Sequence, residues 1–361
     1  MKMPHLFLWV LIATLLFVSQ QVFAIQSMIQ QAQNGAVFEK VASIKSHGGS
    51  LVTSTVVDRE IVYSGDRNGV VVATSFIGVK ELWVVPVVAS TQASRSVTAM
   101  AVSMDGVLLA VATECGDLMI LDAKSGRVLR RNMPVNGLVM TSMSISSDDS
   151  MIAAGDQSGT LMLWTSDLTE YQVMGIHDWS INDVRFVSER YLLVADSKSV
   201  KIWDVENFGV NRVIVDRDEF GGDGLWISEL GYSNSLDFFV VTSNTQMIVF
   251  DIRAGNVLAR FRSPNDQPLM HSQIIDSDTK VIATDRSGAV LTWDIATGQF
   301  LGAMNAFSMS AVSGLRPIKG SYFLLTGLKL DVFGSIFLPV IEIWQLGNST
   351  LEGVSDDRSS Y

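Results

Sequence analysis

The sequence predicts an all-β chain: a seven-bladed β-propeller of four-stranded antiparallel blades, closed by an N-terminal strand that completes the last blade. Three observations carry this prediction. A single hairpin is written repeatedly, as "IVYSGDRNGVVVAT" (61–74), "IAAGDQSGTLMLW" (152–164) and "VIATDRSGAVLTW" (281–293). Each places an Asp- and Gly-containing turn between two β-rich runs. The third run of successive units ends at Thr74, Leu121, Trp164, Trp203, Phe250, Trp293 and Trp344, with gaps of 47, 43, 39, 47, 43 and 51 residues. That spacing matches the length of a four-stranded propeller blade. Helical periodicity is nearly absent, apart from the N-terminus and the short stretch "SMIQQAQ" (27–33).

Taken in order, the chain opens on a processing segment, residues 1–24. Lys2 precedes the uncharged run "LFLWVLIATLLFV" (6–18), and "VFA" (22–24) supplies small residues for cleavage. The run has 13 residues, short of the ~20 that a membrane span needs. A cleaved secretory signal is expected, with an uncleaved N-terminal anchor as the alternative. Residues 25–33 form a short linker, 34–347 the propeller and 348–361 a polar tail.

Within the propeller, each unit shows four strand signals. The second unit reads "VTAMAVS", "VLLAVAT", "LMILD" and "RVLRRNM"; the third reads "VMTSMSIS", "MIAAGD", "TLMLW" and "EYQVM". The second run of each unit is nearly all apolar, as expected of a strand covered on both faces. Hydrophobic residues make up 48% of the chain and charged residues 17%, enough apolar material for seven such sheets. The last unit supplies "VSGLRPI", "YFLLTGL" and "VIEIWQL" but no fourth strand. At the other end, "NGAVFEKVASI" (34–44) resembles the fourth strands "SGRVLRRNM" and "TGQFLGAM". The two ends therefore complete one blade, leaving no open sheet edge. A longer hairpin, "KLDVFGSIFLP" (329–339), is expected to form a contact surface, fold over the channel or simply lengthen two strands.

"KIWD" (201–204) and "LTWD" (291–294) resemble the Trp-Asp ending of WD40 repeats, and "HDWSINDVRF" (177–186) resembles the His and first strand that open one. In that family Trp, His, Asp and a Ser or Thr form a buried hydrogen-bond network. The resemblance assigns structural roles to His177, Asp196 and Trp203, which only the fourth unit carries together, and to Asp66, Asp156, Asp285, Trp164 and Trp293. The fourth unit departs from the pattern, because Val194 and Ala195 stand where the Ser or Thr belongs. "ILDAKSGRVLRR" (120–131), "VFDIRAGNVLARF" (249–261) and "TWDIATGQFLGAM" (292–304) also resemble quinoprotein blades, although only Trp83 keeps a comparable docking Trp.

Composition narrows the function. The formal net charge is −11, without a compensating basic run, so nucleic acid is not an expected partner. The single cysteine, Cys115, provides no disulfide framework and reads as a small structural residue. His47, His177 and His271 are each placed before a first strand, in different blades, so no metal site is expected. "DRDEFGGDG" (216–224) gathers Asp216, Asp218, Glu219 and Asp223, but its spacing does not fit a calcium loop, and a solvated acidic loop is expected.

Among residues aimed at one ring face, Trp179, Trp226, Arg67, Arg95 and Arg286 are candidate partner-binding residues, since Trp and Arg dominate interface anchors. For the two Trp the competing reading is burial between blades. No cofactor and no catalytic constellation is predicted. The favoured reading is an exported, non-enzymatic, monomeric platform, periplasmic or secreted, binding a protein partner in assembly or maturation of an envelope complex. The alternatives are a quinone-dependent dehydrogenase-like propeller, or a small-ligand or glycan binder or hydrolase using the central channel through Asp66, Asp156, Asp196 or Asp285.

Overall fold

The computed structural model describes residues 36–45, 47–87, 96–132, 139–216, 226–227, 229–233, 235–306, 312–318, 320–330 and 337–348. The expected signal and linker, Arg95, acidic residues 218–223, the tip of the long hairpin (331–336) and the tail beyond 348 lie outside the described residues.

Strand β1 (Ala36–Ile44) leads into a one-turn 3-10 helix, His47–Gly49. Blade 1 is β2 (Val52–Asp58), β3 (Ile61–Asp66), β4 (Val70–Ser75) and β5 (Lys80–Pro86). Blade 2 is β6 (Val97–Val102), β7 (Leu108–Thr113), β8 (Leu118–Asp122) and β9 (Val128–Asn132). Blade 3 is β10 (Met140–Ile145), β11 (Met151–Asp156), β12 (Thr160–Thr165) and β13 (Tyr171–Ile176). Blade 4 is β14 (Ile181–Phe186), β15 (Tyr191–Asp196), β16 (Val200–Asp204) and β17 (Gly209–Val215). Blade 5 is β18 (Leu230–Tyr232), β19 (Phe238–Ser243), β20 (Gln246–Asp251) and β21 (Val257–Arg262). Blade 6 is β22 (Leu269–Ile275), β23 (Lys280–Asp285), β24 (Ala289–Asp294) and β25 (Phe300–Asn305). Blade 7 is β26 (Val312–Pro317), β27 (Tyr322–Leu330), β28 (Phe337–Asn348) and the N-terminal β1.

Each of the seven sheets is an antiparallel four-stranded meander, and blade 7 runs β1-β28-β27-β26. Closure is therefore as the sequence predicts. Ala36 pairs with Asn348, Phe38 with Leu346, Lys40 with Trp344 and Ile44 with Ile341. Lys40 Nζ reaches the buried carboxylate of Glu342 at 2.6 Å, and Trp344 Nε1 donates to its other oxygen at 3.2 Å. The long hairpin lengthens two strands, carrying the β27–β28 ladder on to Leu330 opposite Phe337.

The core consists of apolar layers between neighbouring blades. In β7, Ala110 and Ala112 pack with Met140 and Ile152 of blade 3, while Leu109 and Val111 pack with Tyr63 and Val71 of blade 1. A strand's alternation thus feeds two interfaces, which is why the second strands read as continuous apolar runs. The closing layer joins Leu324, Ile341, Ile343 and Ile44 of blade 7 to Val52 and Val62 of blade 1.

Outer strands dock blades in two ways. Trp83 of β5 donates from Nε1 to Ala123 O of blade 2 at 3.0 Å and lies against Gly126, where a Cβ would come within 2.7 Å of the indole. Arg212 of β17 stands at the same register, opposite the residue before the third-strand anchor. Its guanidinium donates to the carbonyls of Ala254, Ile252 and Arg253 of blade 5 at 3.0, 2.9 and 2.9 Å.

Candidate functional site

The turns between second and third strands fix one face of the ring. Asp66 Oδ1 accepts from Asn68 N and Val70 N at 2.9 and 2.8 Å. Asp156 does the same with Ser158 N and Thr160 N at 2.9 and 2.7 Å, and Asp285 with Ser287 N and Ala289 N at 2.8 and 3.0 Å. Asp196 accepts from Lys198 N and Ser199 N, both at 2.7 Å. These four carboxylates cap their own turns.

Two of the turns carry a buried histidine. In blade 4, His177 Nδ1 lies 2.8 Å from Asp196 Oδ2, and Trp203 Nε1 donates to His177 Nε2 at 3.0 Å. Trp203 packs on Gly175, whose Cβ would fall 2.2 Å from the indole. In blade 1, His47 Nε2 is 2.8 Å from Ser64 Oγ and its Nδ1 is 3.2 Å from Asp66 Oδ2. Each network lacks one member: blade 4 has no hydroxyl on its second strand, where Val194 and Ala195 stand, although Ser199 Oγ donates to Asp196 Oδ2 at 2.9 Å, and Thr74 stands in blade 1 where Trp203 stands in blade 4. Burial opposes the charge on Asp66 and Asp196, but the histidines and turn amides outweigh it and hold both carboxyls below their usual range.

Trp164 and Trp293 pack against other aromatic rings. Trp164 is buried and stacks on Tyr171, with ring centroids 6.0 Å apart. Trp293 sits between Phe261 and Phe300 at 6.0 and 5.5 Å. In blade 6 the Asp285 carboxylate takes Asn265 Nδ2 at 3.1 Å instead of a histidine. His271 is not placed before the first strand, as its sequence position suggests, but lies inside β22. Leu269 pairs with Asp285 as Ile181 pairs with Asp196, so the place ahead of the first strand that His177 holds in blade 4 is held in blade 6 by Asn265.

Of the candidate rim residues, Trp179 and Trp226 come together. They are 50% and 59% exposed, so neither is buried between blades. Lys198 Nζ lies 5.9 Å from the Trp179 ring centroid and 5.6 Å from that of Trp226. The backbone beneath them is fixed. Gly159 is so close to this loop that a Cβ would lie 2.8 Å from Trp179 O. Trp226 N donates to Ser243 Oγ at 3.0 Å, Ile227 N to Ser197 O at 3.1 Å, and Asn182 Nδ2 to Ile227 O at 2.6 Å. Arg67 and Arg286 are exposed in the equivalent turns of blades 1 and 6 and do not join this cluster.

A polar belt along the first strands, which touch one another around the ring, is not legible in the sequence. Ser142 of blade 3 donates to Asp183 Oδ1 of blade 4 at 3.3 Å, and Leu230 N of blade 5 donates to Asp183 Oδ2 at 2.9 Å. Glu229 of blade 5 receives Arg316 Nη1 of blade 7 at 3.1 and 3.2 Å and has His271 Nδ1 of blade 6 at 3.2 Å. Arg316 Nε donates on to Thr55 O of blade 1 at 3.3 Å. Burial opposes the charge of Glu229, yet Arg316 and His271 bring its carboxyl down to about 2. Burial pushes Asp183 up to about 6; the Leu230 amide opposes this and the charge of Glu229 adds to it. With its oxygens held by Arg316 and beside His271, Glu229 links blades 5, 6 and 7.

Cys115 lies beside Thr113 Oγ1 at 3.1 Å and Asp117 Oδ2 at 3.8 Å. Residues 131–165, spanning the end of β9 to the end of β12, match a family model described as WD domain, G-beta repeat. Together with the seven-bladed ring, the match supports a WD40-repeat β-propeller. Propellers of this kind are typically non-enzymatic and usually mediate protein interactions. No curated protein matches the chain. Among the described residues, no helix is long and apolar enough to cross a membrane.

Proposed function

Taking the chain as a WD40-repeat β-propeller, we propose that it is an exported, non-enzymatic platform that binds a protein partner through the face bearing Trp179 and Trp226. The observation that carries this reading is the pairing of two half-exposed indoles on pinned backbone. Large aromatic anchors held in advance of binding lose little entropy when a partner covers them. Export rests on the N-terminal segment 1–24, and places the platform in the periplasm or outside the cell. A role in assembling or maturing an envelope complex suits that address.

The channel-based alternatives have weaker support. Asp66, Asp156, Asp196 and Asp285 are occupied by their own turns, and Glu229 by Arg316. The quinoprotein likeness keeps a comparable docking Trp only at Trp83, whose position in blade 4 is taken by Arg212. The test is affinity capture from the native envelope fraction with the wild-type chain and with Trp179→Leu/Trp226→Leu. A reproducible partner retained by the first and lost by the second is expected. A partner retained equally by both, or no partner at all, contradicts the reading.

A further inference from the structure

The first strands carry two arginines at matching rungs, Arg185 opposite Leu193 in blade 4 and Arg316 opposite Leu324 in blade 7. Their surroundings differ. Arg316 is engaged: its Nη1 donates to both oxygens of Glu229, at 3.1 and 3.2 Å, and its Nε to Thr55 O at 3.3 Å. Arg185 is exposed, and among the described residues it makes no hydrogen bond and no ion pair. Its guanidinium lies over the Tyr232 ring instead, 5.6 Å from the centroid, and this contact orients the charge. Asp183 does not pair with it. That carboxylate stands on the same face of β14 but is taken by Ser142 Oγ at 3.3 Å and Leu230 N at 2.9 Å.

The backbone sets this place apart. Among the described residues, neighbouring first strands approach one another least at the seam between β14 and β18. Gly231 shows why: β18 is pressed onto blade 6, where a Cβ on Gly231 would strike Ser272 O. The side chains that reach across the seam are polar. Tyr232 Oη is buried there, close to Asp183, and makes no hydrogen bond. A buried hydroxyl without a partner is costly. The seam therefore holds an unpaired cation and an unpaired hydroxyl side by side.

We infer that the seam between blades 4 and 5 is an anion site, in which the Arg185 guanidinium takes a carboxylate. Arg316 shows this pairing at the equivalent rung, with Glu229 as the carboxylate. A planar monoanion matches the guanidinium fork. A phosphate dianion suits the seam less, because Asp183 and Glu229 already bring negative charge to it. The charge of Glu229 is met by Arg316 and His271, which leaves Asp183 as the charge that an incoming anion opposes. The net charge of −11 works against diffuse binding of anions, so occupancy depends on Arg185 itself. The site does not rest on the face bearing Trp179 and Trp226, and failure of either leaves the other standing.

Phenylglyoxal, which modifies unpaired guanidinium groups, reads the site in the folded chain, with peptide mass mapping of each arginine. The probes are sodium acetate, a glycine-spaced tri-glutamate peptide, inorganic phosphate, acetamide, and sodium chloride at matched ionic strength. Arg185 is expected to react, and saturating acetate to slow its modification about two- to fivefold, the change worth one exposed charge pair. Acetamide and chloride are expected to give no such protection. Arg130, exposed on the outer strand β9, is the internal control and is slowed less than about 1.5-fold by acetate. Asp183→Asn removes the opposing charge and is expected to lower the half-protecting acetate concentration about two- to fivefold at neutral pH. Protection by the glutamate peptide at a lower concentration than acetate makes an acidic polypeptide segment the source of the carboxylate. Protection by acetate at the lower concentration makes it a free acid.

The inference is overturned if Arg185 fails to react with phenylglyoxal, or if neither acetate nor the glutamate peptide protects it better than chloride does. It is equally overturned if phosphate protects better than acetate, if Arg130 is protected to the same degree, or if Asp183→Asn leaves the half-protecting concentration unchanged.

Discussion

The indole N–H of Trp203 donates directly to Nε2 of His177, 3.0 Å away. Indole is a donor only, so Nε2 must accept, and the ring proton belongs on Nδ1, facing Asp196 Oδ2 at 2.8 Å. His177 is thus fixed in one ring orientation by two groups from different strands of the blade, Trp203 and Asp196. Trp203→Phe keeps the packing on Gly175 but leaves Nε2 buried and unpaired, and is expected to cost about 1–3 kcal/mol in chemical denaturation. Val194→Ser, which would supply the absent hydroxyl, is expected to destabilise, because the single lone pair of Nε2 is already taken. Stabilisation by that change would show that the direct bond is not made.

Blade 1 presents the converse case. Thr74 takes the position of Trp203, and its buried Oγ1 has no hydrogen-bond partner. Thr292 of blade 6 is in the same condition. Thr74→Val and Thr292→Val each remove an unpaired hydroxyl at nearly constant volume, and are expected to raise stability by about 1 kcal/mol each. Thermal melts of the single and double variants check this, with near-additive gains expected for separate blades.

The polar belt makes stability depend on pH in two directions. Glu229, brought down to about 2, contributes stability that is present above its ordinary 4.5 and lost as pH falls toward 2. Asp183, pushed up to about 6 from 3.8, holds its proton more tightly when folded. Its contribution is therefore full below 3.8 and is lost as pH rises through 6. At pH ~7.5 an ionised Asp183 is a net cost, and Asp183→Asn is expected to stabilise by about 1–2 kcal/mol after allowance for solvent screening. At pH ~4 the same substitution is expected to be nearly neutral. Melting temperatures at the two pH values decide the matter, and an equal offset at both would refute the assignment.

Much of the ring was legible in the sequence because its signals are local. Asp66, Asp156, Asp196 and Asp285 each announce a turn whose amides they cap, and the apolar second strands announce burial on both faces. Likewise, β1 was recognisable as a displaced fourth strand, because blade 7 otherwise has three. What escaped was assembled from distant positions. Asp183, Glu229, His271 and Arg316 sit in four blades, and nothing in any one repeat marks them as neighbours. His271 lies inside its strand because the first strand of blade 6 begins at Leu269, ahead of it, and Asn265 fills the place that a histidine takes in blade 4. Arg212 escaped as a docking residue because carbonyls accept from any donor, so the position requires hydrogen-bond donation rather than an indole. The approach of Lys198 to both Trp179 and Trp226 is likewise hidden, because a turn position foretells the lysine's backbone but not its ammonium.

Every rim assignment depends on the ring being closed by its own N-terminal strand, and one cross-link tests that most directly. Val37 pairs with Gly347, and a Cβ built on Gly347 lies 3.9 Å from Val37 Cβ, within the range a disulfide requires. In a Cys115→Ser background, Val37→Cys/Gly347→Cys is expected to oxidise to a single intramolecular disulfide, seen as a linked peptide and a two-proton mass loss. Two free thiols after oxidation, in a chain that remains folded, would mean that β1 does not complete the seventh blade.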